Sequence, residues 1–403
     1  MSSKTLSTNW VVRNMREQFK HYDAKLLSPT ASHGYIPGLD GIRAIAVIIV
    51  ILAHFGLANI IPGGFGVTVF FFISGFLITR LLISEKEKYG HIALKNFYIR
   101  RIIRLYPALL FMVIISTTLY SVLGIGGPKP LEFLAAIGYF TNIFQVMSAA
   151  NDVNPFMPWT HLWSLAVEEH FYLLFPLLLI ACGMKWDRLM LSLSACLVLI
   201  PLWRFVTFHY LPVPVTDYNY MMTDARIDSI IWGCMLTVLL HEKKTIEPFK
   251  AFIGLAPFAI ASAAILISFL YRDESFRYIW RYSLQGAALA VLVLNLFYWK
   301  ALRVSITLLE FKPLAWIGKT SYGLYLWHYP IYDVMQRTLG NSIVSLFLTL
   351  VLCFAMTAFS FYVVEKSFLG LRKKYGSKPP KNTHELGNKV QPQTNSQILS
   401  VRT

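Results

Sequence analysis

The chain has 403 residues, 56% of them hydrophobic and only 14% charged, a balance that excludes an ordinary soluble domain. Its formal net charge of +16 raises the question of nucleic acid. The basic residues, however, flank apolar runs of about 17–25 residues, each long enough to cross a bilayer as a helix. The composition therefore predicts an all-α, polytopic integral membrane helix bundle, with no nucleic-acid partner.

Spans are predicted at about 44–61, 66–83, 105–123, 170–184, 189–208, 228–240, 251–270, 282–299, 321–338 and 342–364. With that alternation, 30 of the 37 Lys and Arg fall on one side of the membrane. The positive-inside rule makes that side the cytoplasm and places both termini there. The basic balance thus reports topology and contact with membrane lipids.

Residues 1–33 are polar with scattered apolar positions such as Trp10, Val11 and Phe19, and read either as a short interfacial helix or as a loosely ordered tail. They lack the apolar core of a cleaved signal peptide, so the first span is expected to be an uncleaved anchor. Residues 34–370 form the transmembrane domain. Residues 371–403, rich in Lys, Pro, Asn, Gln and Ser, are expected to be a disordered cytoplasmic tail. The cysteines, at 182, 196, 234 and 353, lie in or beside spans and imply neither a disulfide framework nor a metal site.

The first span opens with Asp40-Gly41-Ile42-Arg43, and ten residues that are all Ala, Val, Ile or Leu separate Arg43 from His54. Eleven helical steps end roughly 20° past three full turns, so the two side chains share one face about 16 Å apart. Ionisable groups at membrane depth are costly and usually functional, which favours a role for His54; an arginine near a span end also serves as a plain anchor. Pro62-Gly63-Gly64 then forms a turn, and Gly66, Ser74 and Gly75 suit close helix packing. Arg100, Arg101 and Arg104 gather on one helical flank, either as topogenic charge or as a phosphate-binding cluster.

The stretch 131–147 is only moderately apolar, and a full crossing there would invert every later loop; a re-entrant or interfacial segment fits better. The block from His161 to Tyr172, with Trp163, Glu168, Glu169 and His170, is expected at the outer mouth of the fourth span, where it suits acid–base work or sugar contacts. Asp224, Arg226 and Asp228 follow, with mutual ion pairing as the plain alternative to substrate contact. Last, Tyr325 and His328 sit in an aromatic run, Trp316 to Pro330, that fits either sugar stacking or an interface belt.

Taken together, these blocks resemble acyltransferase family 3, the membrane-bound O-acyltransferases and O-acetylases of bacterial surface polysaccharides, from about Tyr35 to Leu369. The resemblance rests on Arg43–His54, Phe71–Ile78, the arginine motif at 101–104 and Trp163–Tyr172. It also rests on Asp224-Ala225-Arg226-Ile227-Asp228, Ser321–His328 and Val364-Glu365-Lys366. The chain departs from the family pattern at His170, where glutamine is usual, and at Ser367, where proline often follows. Some relatives of that family carry an added extracytoplasmic domain, and none is expected in this sequence.

The resemblance implies a multi-pass protein of the bacterial cytoplasmic membrane. It implies no permanently bound cofactor, with acetyl-CoA or another acyl-CoA as donor substrate and a hydroxyl of a carbohydrate or glycolipid as acceptor. Lipopolysaccharide, exopolysaccharide and peptidoglycan all qualify as that acceptor. Arg43, Arg101 and Arg104 are then expected to bind donor phosphates, with His54 as general base or transient acyl carrier and Glu168 as its catalytic companion. Trp163, Asp224, Arg226, Tyr325 and His328 are expected to contact substrate. A transporter or flippase is the rival from another class, opposed by the arginine cluster and by the lack of inverted repeats.

Overall fold

The computed structural model describes residues 35–243 and 247–375, so the reading of 1–33 and nearly all of the tail lie outside the described residues. Each of the ten predicted spans coincides with a helix. These are α1 (Leu39–Leu52), α2 (Gly63–Tyr89), α3 (Leu94–Val122), α4 (Trp163–Ala181) and α5 (Trp186–Tyr210). They continue with α6 (Asp228–Lys243), α7 (Leu255–Leu270), α8 (Arg281–Tyr298), α9 (Ser321–Leu339) and α10 (Ile343–Phe359). The described residues contain no strand.

Among the described residues, seven of these helices are long and apolar enough to cross a membrane, so the protein is a multi-pass helical membrane protein. The other three are α6 and α7, of 16 residues each, and α9. Sixteen residues rise only about 24 Å, short of a hydrocarbon core of about 30 Å. The α9 helix carries His328, Asp333 and Arg337, which lower its apolarity although most of its side chains are buried.

Two boundaries differ from expectation, for one physical reason. The α3 helix starts at Leu94 rather than near 105, and α4 at Trp163 rather than near 170. Arg, Lys and Glu are good helix formers, so the helix continues through charged turns that a hydropathy reading cuts off. The arginine cluster and the Trp163–Tyr172 block are therefore built into helices. The segment 131–147 is two short helices, Pro130–Ile137 and Thr141–Ala150, neither long enough to cross. Glu132 ties the first to the chain on either side, accepting the Lys129 and Phe156 N–H groups at 2.8 and 3.0 Å.

Glycine decides how closely the helices approach. At Gly75 of α2 an added Cβ would strike the Ile230 carbonyl of α6, and at Gly233 of α6 it would strike the Phe72 carbonyl of α2. The two backbones lie against each other through these reciprocal gaps, and Thr237 Oγ1 donates to the Phe76 carbonyl at 3.1 Å. Gly66 performs the same service for α1, where its missing Cβ leaves room for the Ala46 carbonyl. Ser74, expected to be a packing residue, instead donates to Glu168 on α4. Gly75→Val or Gly233→Val is expected to cost about 1–3 kcal/mol through overpacking. Thermal unfolding of the detergent-solubilised protein checks this, with Gly127→Ala, which meets only Ser121 Oγ at 3.8 Å, as the neutral control.

Candidate functional site

Two cavities lie between the helices, with different chemistry. The first, of about 100 Å³, is lined by Arg43 of α1, Arg101 and Arg104 of α3, Glu168 and Glu169 of α4, and Tyr139. The second, of about 620 Å³, is lined by His54, Trp163, Tyr220 and several arginines. Val67 and Tyr325 line both, so these two side chains form the partition. Arg43 and His54, one stripe in the sequence, are thus divided between the arginine cavity and the histidine cavity.

His54 does not continue the α1 helix. It sits in a π-helical turn, Ala53–Leu57, that ends its regular course at Phe55 and at Gly56, whose φ is +93°. Such turns recur at functional sites because they re-aim a side chain. Here the turn brings His54 Nδ1 to 2.9 Å from His328 Nε2. His328 is fully buried, and its Nδ1 lies 2.5 Å from the Tyr325 carbonyl oxygen. A carbonyl only accepts, so His328 Nδ1 carries the proton and its Nε2 is the acceptor. For two neutral rings, His54 therefore donates from Nδ1 and keeps a lone pair on Nε2. His161, also buried, packs edge-on to His328 with ring centroids 5.0 Å apart, and neither of its ring nitrogens has a hydrogen-bond partner among the described residues. Those residues contain no cluster of three His, Cys, Asp or Glu able to hold a metal ion.

In the arginine cavity, Glu168 accepts hydrogen bonds from Ser74 and Tyr172. Arg101 lies over the Tyr172 ring at 4.0 Å, and Arg43 is 3.8 Å from Asp40. Glu168, expected at a mouth with the acceptor, is thus a neighbour of the arginines. Tyr139 was not legible as a site residue. It occupies the turn between the two short helices with φ +56°, a conformation uncommon for a bulky side chain. That turn delivers its ring into the cavity.

The remaining expected site residues separate. Trp163 and Tyr325 line the histidine cavity, while Asp224 and Arg226 line neither. Asp224 accepts from Trp203 Nε1 at 2.7 Å and from the Tyr218 hydroxyl at 2.6 Å. Burial and that bond push the Tyr218 phenol up to about 12, so it stays a donor. Arg226 is fully buried, 3.7 Å above the Tyr282 ring, and bonds Ser229 and Thr68. Asp228 pairs with Arg204 of α5 at 2.9 Å, both side chains fully buried, and not with Arg226.

The sequence profile of an acyltransferase domain matches residues 36–365, which contain every residue of both cavities named above. The chain belongs to the acyltransferase family. Among curated relatives of this acyltransferase, the O-acetyltransferase OatA of Staphylococcus aureus is 36% identical over 328 residues, covering 77% of this chain and 52% of that protein. The peptidoglycan O-acetyltransferase OatA of Listeria monocytogenes is 34% identical, covering 74% and 50%. The putative peptidoglycan O-acetyltransferase YrhL of Bacillus subtilis is 30% identical, covering 84% and 55%. The chain spans about half the length of these relatives. No solved structure matches it.

The buried Arg204–Asp228 pair gives this acyltransferase a test that separates structure from chemistry. Asp228→Asn leaves Arg204 buried without its counter-charge and is expected to cost about 3–5 kcal/mol. The double change Arg204→Met with Asp228→Leu is expected to restore most of the thermal stability of the purified protein.

Proposed function

We propose that the chain is an O-acyltransferase that moves an acyl group, most simply acetyl, across the partition between its two cavities. The donor is acetyl-CoA or another acyl-CoA, approaching the arginine cavity from the cytoplasm. The acceptor is a carbohydrate hydroxyl in the histidine cavity, on the outer side of the bacterial cytoplasmic membrane. Both termini are cytoplasmic on this reading, following the distribution of Lys and Arg. The observation that carries the proposal is the division of the site, with Arg43, Arg101 and Arg104 on one cavity, His54 on the other, and Val67 and Tyr325 shared.

Arg43, Arg101 and Arg104 suit the anionic groups of the donor, because guanidinium forks match phosphate oxygens. The arginine cavity is small, so it admits a narrow thioester arm and leaves a nucleotide outside. Glu168, fixed by Ser74 and Tyr172, holds the arginine side of the cavity in place. At the partition the acceptor oxygen attacks the thioester carbonyl carbon while His54 Nε2 takes the hydroxyl proton. The C–S bond then breaks, and the departing thiolate of the donor takes the proton held by His54, which returns the imidazole to its neutral form. His328 acts through its hydrogen bond as a positioning residue that fixes the tautomer of His54.

Two of the relatives are named for peptidoglycan, which makes peptidoglycan saccharides the first acceptor to test. Membranes containing the full chain, supplied with radiolabelled acetyl-CoA, are expected to label such a saccharide on oxygen. His54→Ala is expected to lower the rate about 10²–10⁴-fold, the range of general-base catalysis. His328→Phe, which cannot accept from His54, is expected to lower kcat with little change in the KM for donor, whereas Arg101→Gln is expected to raise that KM. Full activity in His54→Ala would overturn the assignment.

A further inference from the structure

We propose that the histidine cavity is built to bind an acidic saccharide, one carrying a carboxylate or phosphate group, through Arg277 and Arg281. The inference rests on the proposed function for calling this ligand the acceptor. The side of the membrane facing this cavity holds only 7 of the 37 Lys and Arg on the predicted alternation, at 129, 204, 226, 272, 277, 281 and 337. Three of them, Arg272, Arg277 and Arg281, line one cavity together with His54. Chance scatter of anchor charges does not require that convergence.

The three arginines of this cavity outnumber its carboxylates and are not ion-paired among the described residues. Arg204 and Arg337 are paired, with Asp228 and Asp333 at 2.9 and 2.7 Å. Among the described residues Arg272, Arg277 and Arg281 have no carboxylate within ion-pair distance. Arg281 donates only to the Tyr282 hydroxyl, at 3.2 Å, and the buried Nε of Arg277 has no hydrogen-bond partner. The single carboxylate of the lining is Asp217. Nearby Asp273 lies outside the lining and accepts the Phe276 N–H at 2.7 Å, which caps the turn leading to Arg277.

The wall behind adds to the positive field. Arg204, Arg226 and Arg281 all face the Tyr282 ring, at 5.4, 3.7 and 5.1 Å, and Asp228 offsets only one of these charges. Guanidinium groups held this close repel each other, and an arriving anion turns that cost into binding. Trp163, Tyr220 and Tyr278 supply flat apolar faces in the same cavity, which suit the C–H faces of sugar rings. A neutral glycan would use the aromatic faces and leave the arginines idle. A lipid headgroup would sit outside the helices rather than in the cavity that holds His54.

The test is a binding measurement on the full chain in nanodiscs of neutral phosphatidylcholine, followed by calorimetry. The probes are chitotetraose, its C6-oxidised carboxylate form and its C6-phosphorylated form. The acidic forms are expected to bind at least tenfold tighter than the neutral one at low salt, and the better of the two identifies the anion. The double variant R277Q/R281Q is expected to shrink that gap below threefold while leaving the neutral affinity unchanged, which also shows that the cavity is still folded. Equal affinities in the parent chain, no saccharide binding at all, or a gap that survives in the double variant would overturn the proposal. So would an arginine effect that appears only when anionic lipid is added to the nanodiscs, since that assigns the charges to headgroups. An acidic preference without acyl transfer would instead sink the proposed function and leave the anion site standing. Transfer to neutral saccharides without a preference would do the reverse.

Discussion

The close packing of helices around α1 is the constraint behind the hydrogen bond between His54 and His328. That bond joins residues 274 apart in the chain, one on a π-helical turn after α1 and one on α9. It forms only because the helices around α1 approach closely. Gly41 leaves room for Leu309, Gly318 for the Asp40 carbonyl, and Gly66 for the Ala46 carbonyl, so α1 is gripped along its length by backbone contacts. Inside a bilayer, where apolar burial gives helices little reason to associate, such close packing replaces the hydrophobic effect. A single methyl group at any of these positions moves α1, and with it the imidazole.

The same rule explains the polar groups that do no chemistry. A bilayer offers no water, so each buried polar side chain must find a partner within the protein. Arg204 meets this at its two terminal nitrogens, which donate to the Ala225 carbonyl, Asp228 and Ser283 at 2.6–2.9 Å, while its Nε has no hydrogen-bond partner among the described residues. Of the buried side-chain atoms without a hydrogen-bond partner, which also include the Nε of Arg226 and Trp232 Nε1, two groups lie near His54: the ring nitrogens of His161, which packs on His328, and the Nε of Arg277, on the His54 cavity.

Much of this was legible in the sequence, and the limits have physical causes. Ten apolar runs located ten helices, because the length needed to span a bilayer leaves a signal that local periodicity carries. The short stretch at 131–147 was recognisable as a non-crossing segment from charge alternation alone. What the sequence hides is convergence. The pairing of Glu168 with Ser74 joins residues 94 apart, and the gathering of Arg272, Arg277 and Arg281 with His54 brings the connection between α7 and α8 and the first residue of α8 to the turn that follows α1. Tyr139 gave one faint signal, a Gly-Tyr turn inside an apolar stretch. Asp224-Ala225-Arg226-Ile227-Asp228 misled in the other direction, because spacing suggested mutual pairs where each charge has a separate partner.

The divided site also bears on a problem that any such enzyme faces. A charged, bulky donor and a polar acceptor on opposite faces of a membrane cannot meet unless one of them crosses about 30 Å of hydrocarbon. On the proposed function, with Arg43, Arg101 and Arg104 on one cavity and His54 on the other, neither would have to cross. On that proposal the donor's anionic part would stay with Arg43, Arg101 and Arg104, and only its small acyl end would have to reach the partition. The partition is suited to that economy. Tyr325 is held by its hydroxyl to the His161 carbonyl and to Ser164, at 2.6 and 2.7 Å, so it is a fixed wall with a polar edge. Val67 faces it from α2, one residue after the glycine that seats α2 on α1. On the proposed function, a wall of this kind would pass a thioester carbonyl more readily than a hydrated ion, and so would let chemistry through a membrane that stays closed to charge.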